Sequence, residues 1–224
     1  KYLKKKTVRD TFNVHTVTRR IEECRNGIAL MRSPVEASIE NLGPLVNSPY
    51  PDFVPVVSAV ENTLIFTSRR LGSTGGYRDP FDHFPYEDIY ISRKLKDGTW
   101  SAPKSIGDSI NTQFHDAAVG ISPNGNKLFI YKDDKGIGGN LYYSLLDKNG
   151  IWGKPVKLPQ AINHNKSQEP SASTTRNEDV IYFSSNRSKD SRGKKDIYRL
   201  RKLPDGSWAS PENLGGIINT PYDE

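Results

Sequence analysis

Trp100-Ser101-Ala102-Pro103, Trp152-Gly153-Lys154-Pro155 and Trp208-Ala209-Ser210-Pro211 set the three tryptophans of the chain in one shared context, 52 and 56 residues apart. Twelve residues before each stands a second triplet, Asp88-Ile89-Tyr90, Asn140-Leu141-Tyr142 and Asp196-Ile197-Tyr198. After each comes Ile-Asn, at Ile110-Asn111, Ile162-Asn163 and Ile218-Asn219. Offsets that hold through three copies of roughly 50 residues define a structural repeat. Seventeen residues beyond Asn47, Asn111 and Asn163 begin the apolar runs Leu64-Ile65-Phe66, Leu128-Phe129-Ile130 and Val180-Ile181-Tyr182-Phe183. Only the stretch from each run to the next triplet varies, at 24, 12 and 16 residues, which marks a surface loop between two fixed strands.

Each unit reads as four strands. The first is a small-residue run, Val54–Ser58, Ala117–Ser122 or Pro170–Ser173, and the second is the apolar run. The third, Asp88–Leu95, Asn140–Leu146 or Asp196–Leu203, alternates at period two. Asp97-Gly98, Asn149-Gly150 and Asp205-Gly206 then turn the chain into the fourth, because these pairs tolerate the positive φ of a tight hairpin. Repeated four-stranded antiparallel units describe an all-β fold, a β-propeller, whose blades bury their faces against one another. The blades are expected at about residues 47–106, 111–158 and 163–214 of a domain spanning 36–224. Asn219-Thr220-Pro221-Tyr222-Asp223-Glu224 repeats Asn47-Ser48-Pro49-Tyr50-Pro51-Asp52, so residues 219–224 read as the start of a further blade. Glu40-Asn41-Leu42-Gly43 matches Glu212-Asn213-Leu214-Gly215. Residues 37–43 are therefore expected as an orphan outer strand, closing a blade whose other strands come from beyond residue 224.

The 224 residues are 34% hydrophobic, or about 42% with glycine, slightly below the usual share for a globular domain. No window approaches the length of apolar sequence that a membrane-spanning helix needs. The net charge of +6 is concentrated in residues 1–25, which carry +5, leaving +1 for the rest. That near-neutral body argues against nucleic-acid binding, which needs basic residues spread over the main face. Val17, Ile21, Cys24, Ile28 and Met31 form one helical stripe, ended by Pro34, and predict a short α-helical segment within residues 1–35 with Cys24 as a small buried hydrophobe.

The blocks Leu64-Ile65-Phe66-Thr67-Ser68-Arg69-Arg70 and Phe183-Ser184-Ser185-Asn186-Arg187, each followed by Asp-Ile-Tyr, resemble the TolB-type, WD-like β-propeller repeat. Blade two departs, with Tyr131-Lys132-Asp133-Asp134 in place of the Ser/Arg block. The junction, Arg20-Ile21-Glu22-Glu23-Cys24-Arg25-Asn26-Gly27 leading to Asn41-Leu42-Gly43-Pro44-Leu45-Val46-Asn47-Ser48, is similar to Bacteroidota envelope proteins of the OmpA family. In that family tetratricopeptide-type helices lead into a propeller and then into a peptidoglycan-binding domain. One group is similar to the periplasmic scaffold component of the type IX secretion and gliding machinery. The resemblance implies a periplasmic, outer-membrane-associated scaffold with protein partners in the envelope, touching peptidoglycan only through a domain outside this sequence. It implies no nucleic-acid partner and no direct membrane span.

No Gly-x-Ser-x-Gly elbow or catalytic cysteine context is present, and neither catalytic residues nor a cofactor are expected. Asp79, Asp82 and His83 cluster in one loop, but His15, His83, His115 and His164 share no metal-ligand spacing and no metal is expected. Asp52, His115, Asp116, Glu169 and Asp223 fall in the slot before each first strand, near the expected channel mouth. They read first as scaffold, because they recur in every blade, and second as candidates for a ligand. Asp88, Asp196, Arg70 and Arg187 read as a buried hydrogen-bonding set. The long loop Leu71–Glu87, with Tyr77, Phe81, His83, Phe84 and Tyr86, is a candidate partner-binding surface that could equally fold back on its own blade. The alternative to a non-enzymatic scaffold is a propeller that binds or processes a carbohydrate or peptide at the channel mouth.

Overall fold

The computed structural model describes residues 11–133, 139–188 and 190–224, in two units, residues 1–41 and 42–224. In the first unit α1 (Thr11–Leu30) forms where the apolar stripe predicts it. Of its apolar stripe, Ile21 and Ile28 are exposed, as is Met31 just beyond its end. Cys24 is exposed too, which corrects the expectation of a buried cysteine. Among the described residues no helix is long and apolar enough to cross a membrane.

The second unit holds three four-stranded antiparallel sheets. Blade one is β1 (Asp52–Val57), β2 (Thr63–Ser68), β3 (Asp88–Arg93) and β4 (Lys104–Ser105), paired in that order. Blade two is β5 (Asp116–Ile121), β6 (Lys127–Asp133), β7 (Gly139–Leu145) and β8 (Val156–Lys157). Blade three is β9 (Ala172–Thr174), β10 (Val180–Ser185), β11 (Asp196–Arg201) and β12 (Glu212–Asn213). The hairpin glycines Gly98, Gly150 and Gly206 take φ of 85°, 76° and 85°, the left-handed region that Asp-Gly and Asn-Gly supply at low cost. Each tryptophan bridges back to the end of the third strand, as Lys94↔Trp100, Leu146↔Trp152 and Lys202↔Trp208.

The core lies between blades. Ile65 and Ile89 of blade one meet Leu128, Ile130 and Trp152 of blade two around Ile110. Phe129 and Leu141 of blade two meet Ile181, Phe183, Tyr198 and Leu200 of blade three around Ile162. Ile110 and Ile162 are 0% exposed, whereas Ile218, at the same place after blade three, is 48% exposed. Burial of such a side chain contributes roughly 2–3 kcal/mol, so the Ile of each Ile-Asn pair is a substantial inter-blade anchor. The asparagine beside it latches the third strand. Asn111 accepts from Ile89 N at 3.0 Å and donates to Ile89 O at 2.9 Å, and Asn163 and Asn219 do the same with Leu141 and Ile197.

One expectation changes. Phe66 pairs with Tyr90 and Ile130 with Tyr142, but in blade three Phe183, not Tyr182, pairs with Tyr198. The equivalent of Leu64 and Leu128 is therefore Ile181, one residue later than the spacing from Asn163 implies. The extra residue lies between Asn163 and Glu169. Residues 37–43 form no strand with these three sheets, whose outer positions are β4, β8 and β12; the blade they are expected to close is not one of the three.

Candidate functional site

Antiparallel pairing brings the start of each first strand, the end of each second and the start of each third to one edge. Asp52 pairs with Ser68 and Ser68 with Asp88; Asp116 pairs with Lys132 and Lys132 with Asn140. Along this edge every blade holds a carboxylate on a cation of its own second strand or just beyond it. Arg70 Nη2 donates to Asp52 Oδ1 at 3.0 Å and to Val46 O at 2.9 Å. Arg187 Nη2 donates to Glu169 Oε1 at 3.4 Å and to Ile162 O at 2.7 Å. Each guanidinium also lies over the aromatic pair beneath it, Phe66 and Tyr90 or Phe183 and Tyr198, at 4.7–5.1 Å. In blade two, where the sequence lacks the arginine, Lys132 Nζ reaches both Asp116 Oδ1 and Ile110 O. It rises from the ladder position of Ser68 and Ser185, so a different residue restores the same charge pair.

Burial pushes the Asp52 carboxyl up, but hydrogen bonds from Ser68, Ser48 and Arg70 outweigh it and hold that carboxyl below the ordinary range. At Asp116, which is 0% exposed, burial wins over Lys132 and raises the carboxyl. Burial likewise raises Asp88, whose Oδ2 accepts from Thr74 N and Oγ1. Asp196 is buried and accepts from Arg192 N, Gly193 N and Asn213 Nδ2. The fourth slot is filled by Glu224, whose Oε1 accepts from Thr220 N at 3.0 Å as Asp52 and Asp116 accept from Ser48 and Thr112. Asp223, the residue expected there, points instead to Lys195, 3.1 Å away and exposed.

His115 departs from the repeat. Its Nδ1 lies 2.6 Å from Glu87 Oε2 of blade one, and its ring lies 4.2 Å from that of Tyr86. The pair joins neighbouring blades. The hydrogen bond to Glu87 raises the imidazole, with Asp133 and Asp79 adding to it, against the opposing effect of burial. A histidine raised in the folded state contributes stability that is complete below its ordinary value of 6.5 and is lost as pH rises through the folded value. Urea unfolding should therefore show stability falling from pH ~6 to pH ~8, with the slope flattened in His115→Gln. An unchanged slope in that variant would assign the dependence to another group.

The long loop of blade one forms an irregular hairpin, with Arg78 bridged to Pro85 and Tyr86 N bonded to Tyr77 O. Arg69 is its brace: the guanidinium grips Asp82 at 2.6 and 2.9 Å, donates to Pro85 O at 2.8 Å and lies 5.6 Å from the Phe84 ring centre. Asp79 stands 3.5 Å from the same guanidinium. At Gly75, φ is 81° and a Cβ would stand 2.6 Å from Gln113 Cβ of blade two, so only glycine lets the loop lie that close. The aromatics divide. Phe84 packs edge-on against Tyr50, and Tyr86 is half-buried against His115, so both fold back on the protein. Tyr77 is 56% and Phe81 93% exposed, and His83, also exposed, sits at the tip with φ of 62°.

No family model matches the chain, and no curated protein does. Among solved structures it is similar to TolB from Acinetobacter baumannii, at 13% identity over 74% of this chain and 33% of that one, with a TM-score of 0.44. It is also similar to the periplasmic gluconolactonase of Pseudomonas aeruginosa, at 14% identity over 75% of this chain and 44% of that one, with a TM-score of 0.44. A third is the putative TolB of Agrobacterium tumefaciens, at 16% identity over 77% and 64%, with a TM-score of 0.38. The chain thus spans from a third to under two thirds of the length of these three proteins.

Proposed function

We propose that this chain is a non-enzymatic periplasmic module that binds protein partners, within an outer-membrane-associated OmpA-family scaffold of the type IX secretion and gliding kind. The observation that carries the binding role is the hairpin 77–86. A loop fixed by one buried-side guanidinium, with an aromatic ring 93% exposed at its tip, presents an anchor that costs little to order on association. Rigid blades suit such a display because the loops they connect vary without disturbing the ladders. The cellular placement rests on the junction resemblance, and the exposed Ile21 and Ile28 of α1 suit a helix that packs against further tetratricopeptide-type helices.

The channel-mouth alternative is weakened by the charge bookkeeping. Asp52, Asp116 and Glu169 are each engaged by a cation of their own blade, which leaves Glu87 and His115 as the exceptional groups there.

The experiment is an affinity purification from envelope fractions using the full-length protein and its Phe81→Ala variant. The variant should lose partner recovery by about tenfold, as truncation of an interface anchor does, while its melting temperature stays unchanged because the ring makes no folded-state burial. Full recovery of every stoichiometric partner by Phe81→Ala would remove the hairpin from the binding surface.

A further inference from the structure

Between blades one and two lies a groove of about 440 Å3. Ile91 and Ile106 of blade one line it with Ile151 and Trp152 of blade two. Trp152, 4% exposed, is its floor, and Ile151, 63% exposed, its outer lip. Two cations share this apolar lining, Arg93 and Lys104, both exposed. Their placement follows from the ladder. Lys104 stands opposite Ile91, which packs against the core between blades one and two, and Arg93 lies two residues beyond Ile91 in β3. All three side chains therefore leave the face turned to blade two, with the facing pair about 5 Å apart at Cβ.

Arg93 Nη1 donates to the Thr63 hydroxyl, and among the described residues neither Arg93 nor Lys104 forms an ion pair. At the next seam the ladder puts Leu145 and Val156 in these two places, and Lys127 is paired there with Glu178 across the blades. Gly125 holds the place of Glu178 in blade two, since Gly125 N bonds to Ser122 O as Glu178 N bonds to Thr175 O, so the turn brings no carboxylate to the first seam. A ligand that matches the groove therefore carries a negative charge within a few ångströms of an apolar group. At the C-terminus of a peptide the carboxylate and the last side chain leave one carbon atom, so the first reaches Arg93 and Lys104 while the second lies on Trp152 and Ile151. A phosphate or sulfate leaves the apolar lining unused. The acyl chain of a lipid needs a cavity that closes round it, and this groove is open at Ile151.

We propose that the groove between blades one and two captures the C-terminal carboxylate of a peptide whose last residue is large and apolar. The inference does not rest on the scaffold reading, since it uses neither the hairpin 77–86 nor the carboxylate edge.

The test is a titration of the protein with an N-acetylated tripeptide ending in leucine with a free carboxylate, read on the indole N–H signals of Trp100, Trp152 and Trp208 by 1H–15N NMR. One side chain and one carboxylate held in an open groove imply a dissociation constant on the order of 1 mM. The Trp152 signal should move in a saturable way and the other two should stay, because Trp100 packs on the opposite face of blade one and Trp208 lies at the next seam. The same peptide as its C-terminal amide should bind at least fivefold more weakly, and raised ionic strength should weaken the acid but not the amide. Lys104→Glu should also cost the acid at least fivefold. Lys104 is exposed and unpaired, so the variant folds, which unshifted Trp100 and Trp208 signals verify. A stationary Trp152 signal overturns the proposal. So does equal affinity for acid and amide, a common shift of all three tryptophans, or unchanged affinity in Lys104→Glu.

Discussion

Asn163→Ala is expected to destabilise the blade unit by about 3 kcal/mol, lowering its melting temperature by roughly 6–12 °C. The side chain is 3% exposed and makes three hydrogen bonds to the backbone: it accepts from Leu141 N at 2.8 Å and donates to Leu141 O and Leu158 O at 2.9 Å each. Alanine supplies none of them: Leu141 N and Leu158 O lose this partner, each at a cost on the order of 1–3 kcal/mol before relaxation, while Leu141 O keeps its bond from Leu158 N. The position also sits where β7, β8 and the chain entering blade three converge, so the loss is felt at the seam between two blades rather than within one. Urea denaturation followed by tryptophan fluorescence measures it. A loss below about 1 kcal/mol would mean that water replaces the side chain, and that the Asn in each Ile-Asn pair is not a latch.

The repeat was legible because its markers act locally. Asp97-Gly98, Asn149-Gly150 and Asp205-Gly206 dictate turns through their own φ, and Ile110 and Ile162 mark the seams through hydrophobicity alone. What the sequence misplaced was the register of blade three. Counting from Asn163 put Val180 in the place of Leu64, and that choice would turn Tyr182 toward blade two. The ladder places Ile181 and Phe183 there instead, because a one-residue shift in a strand exchanges its two faces. The carboxylate slot, not the asparagine, keeps constant distance to the second strand in all three blades, and it alone would have given the right register.

The site was legible in composition and not in geometry. Spacing marks the acidic slots but cannot say which of two adjacent acids, Asp223 or Glu224, turns inward. In the sequence the loop aromatics read alike, as a partner surface or as a loop folded back on its blade, and the structure separates Phe84 and Tyr86, which pack, from Tyr77 and Phe81, which are exposed. Arg69 as the brace, and Glu87 as the partner of His115, depend on contacts across 13 and 28 residues that no short motif encodes. Blade two carried the hardest case. Its missing arginine looked like a missing interaction, whereas Lys132 supplies the charge from a position two residues earlier.

That substitution gives the other large effect. Lys132→Met should cost about 3–5 kcal/mol at neutral pH, because it strands a carboxylate that is 0% exposed. Thr112 N and Oγ1 still donate to Asp116, but neither brings the positive charge that offsets its burial. The pH dependence follows from the direction of the shift. Asp116 already lies above its ordinary value of 3.8 in the folded protein, and loss of the lysine moves it further up. A carboxyl raised in the folded state contributes stability that is complete below the unfolded value and is lost as pH rises through the folded one. The penalty in Lys132→Met should therefore be smallest near pH ~4 and grow steadily toward neutrality, the opposite of a carboxylate stabilised by its ion pair. Adding Asp116→Asn, which keeps an acceptor for Thr112 and removes the charge, should recover most of the loss. Denaturation curves of the single and double variants at two pH values decide the matter. If the single variant is equally weak at both, or the double variant is no better than the single, then Lys132 acts through the packing of its alkyl stem, and the charge pair common to the three blades is incidental to their stability.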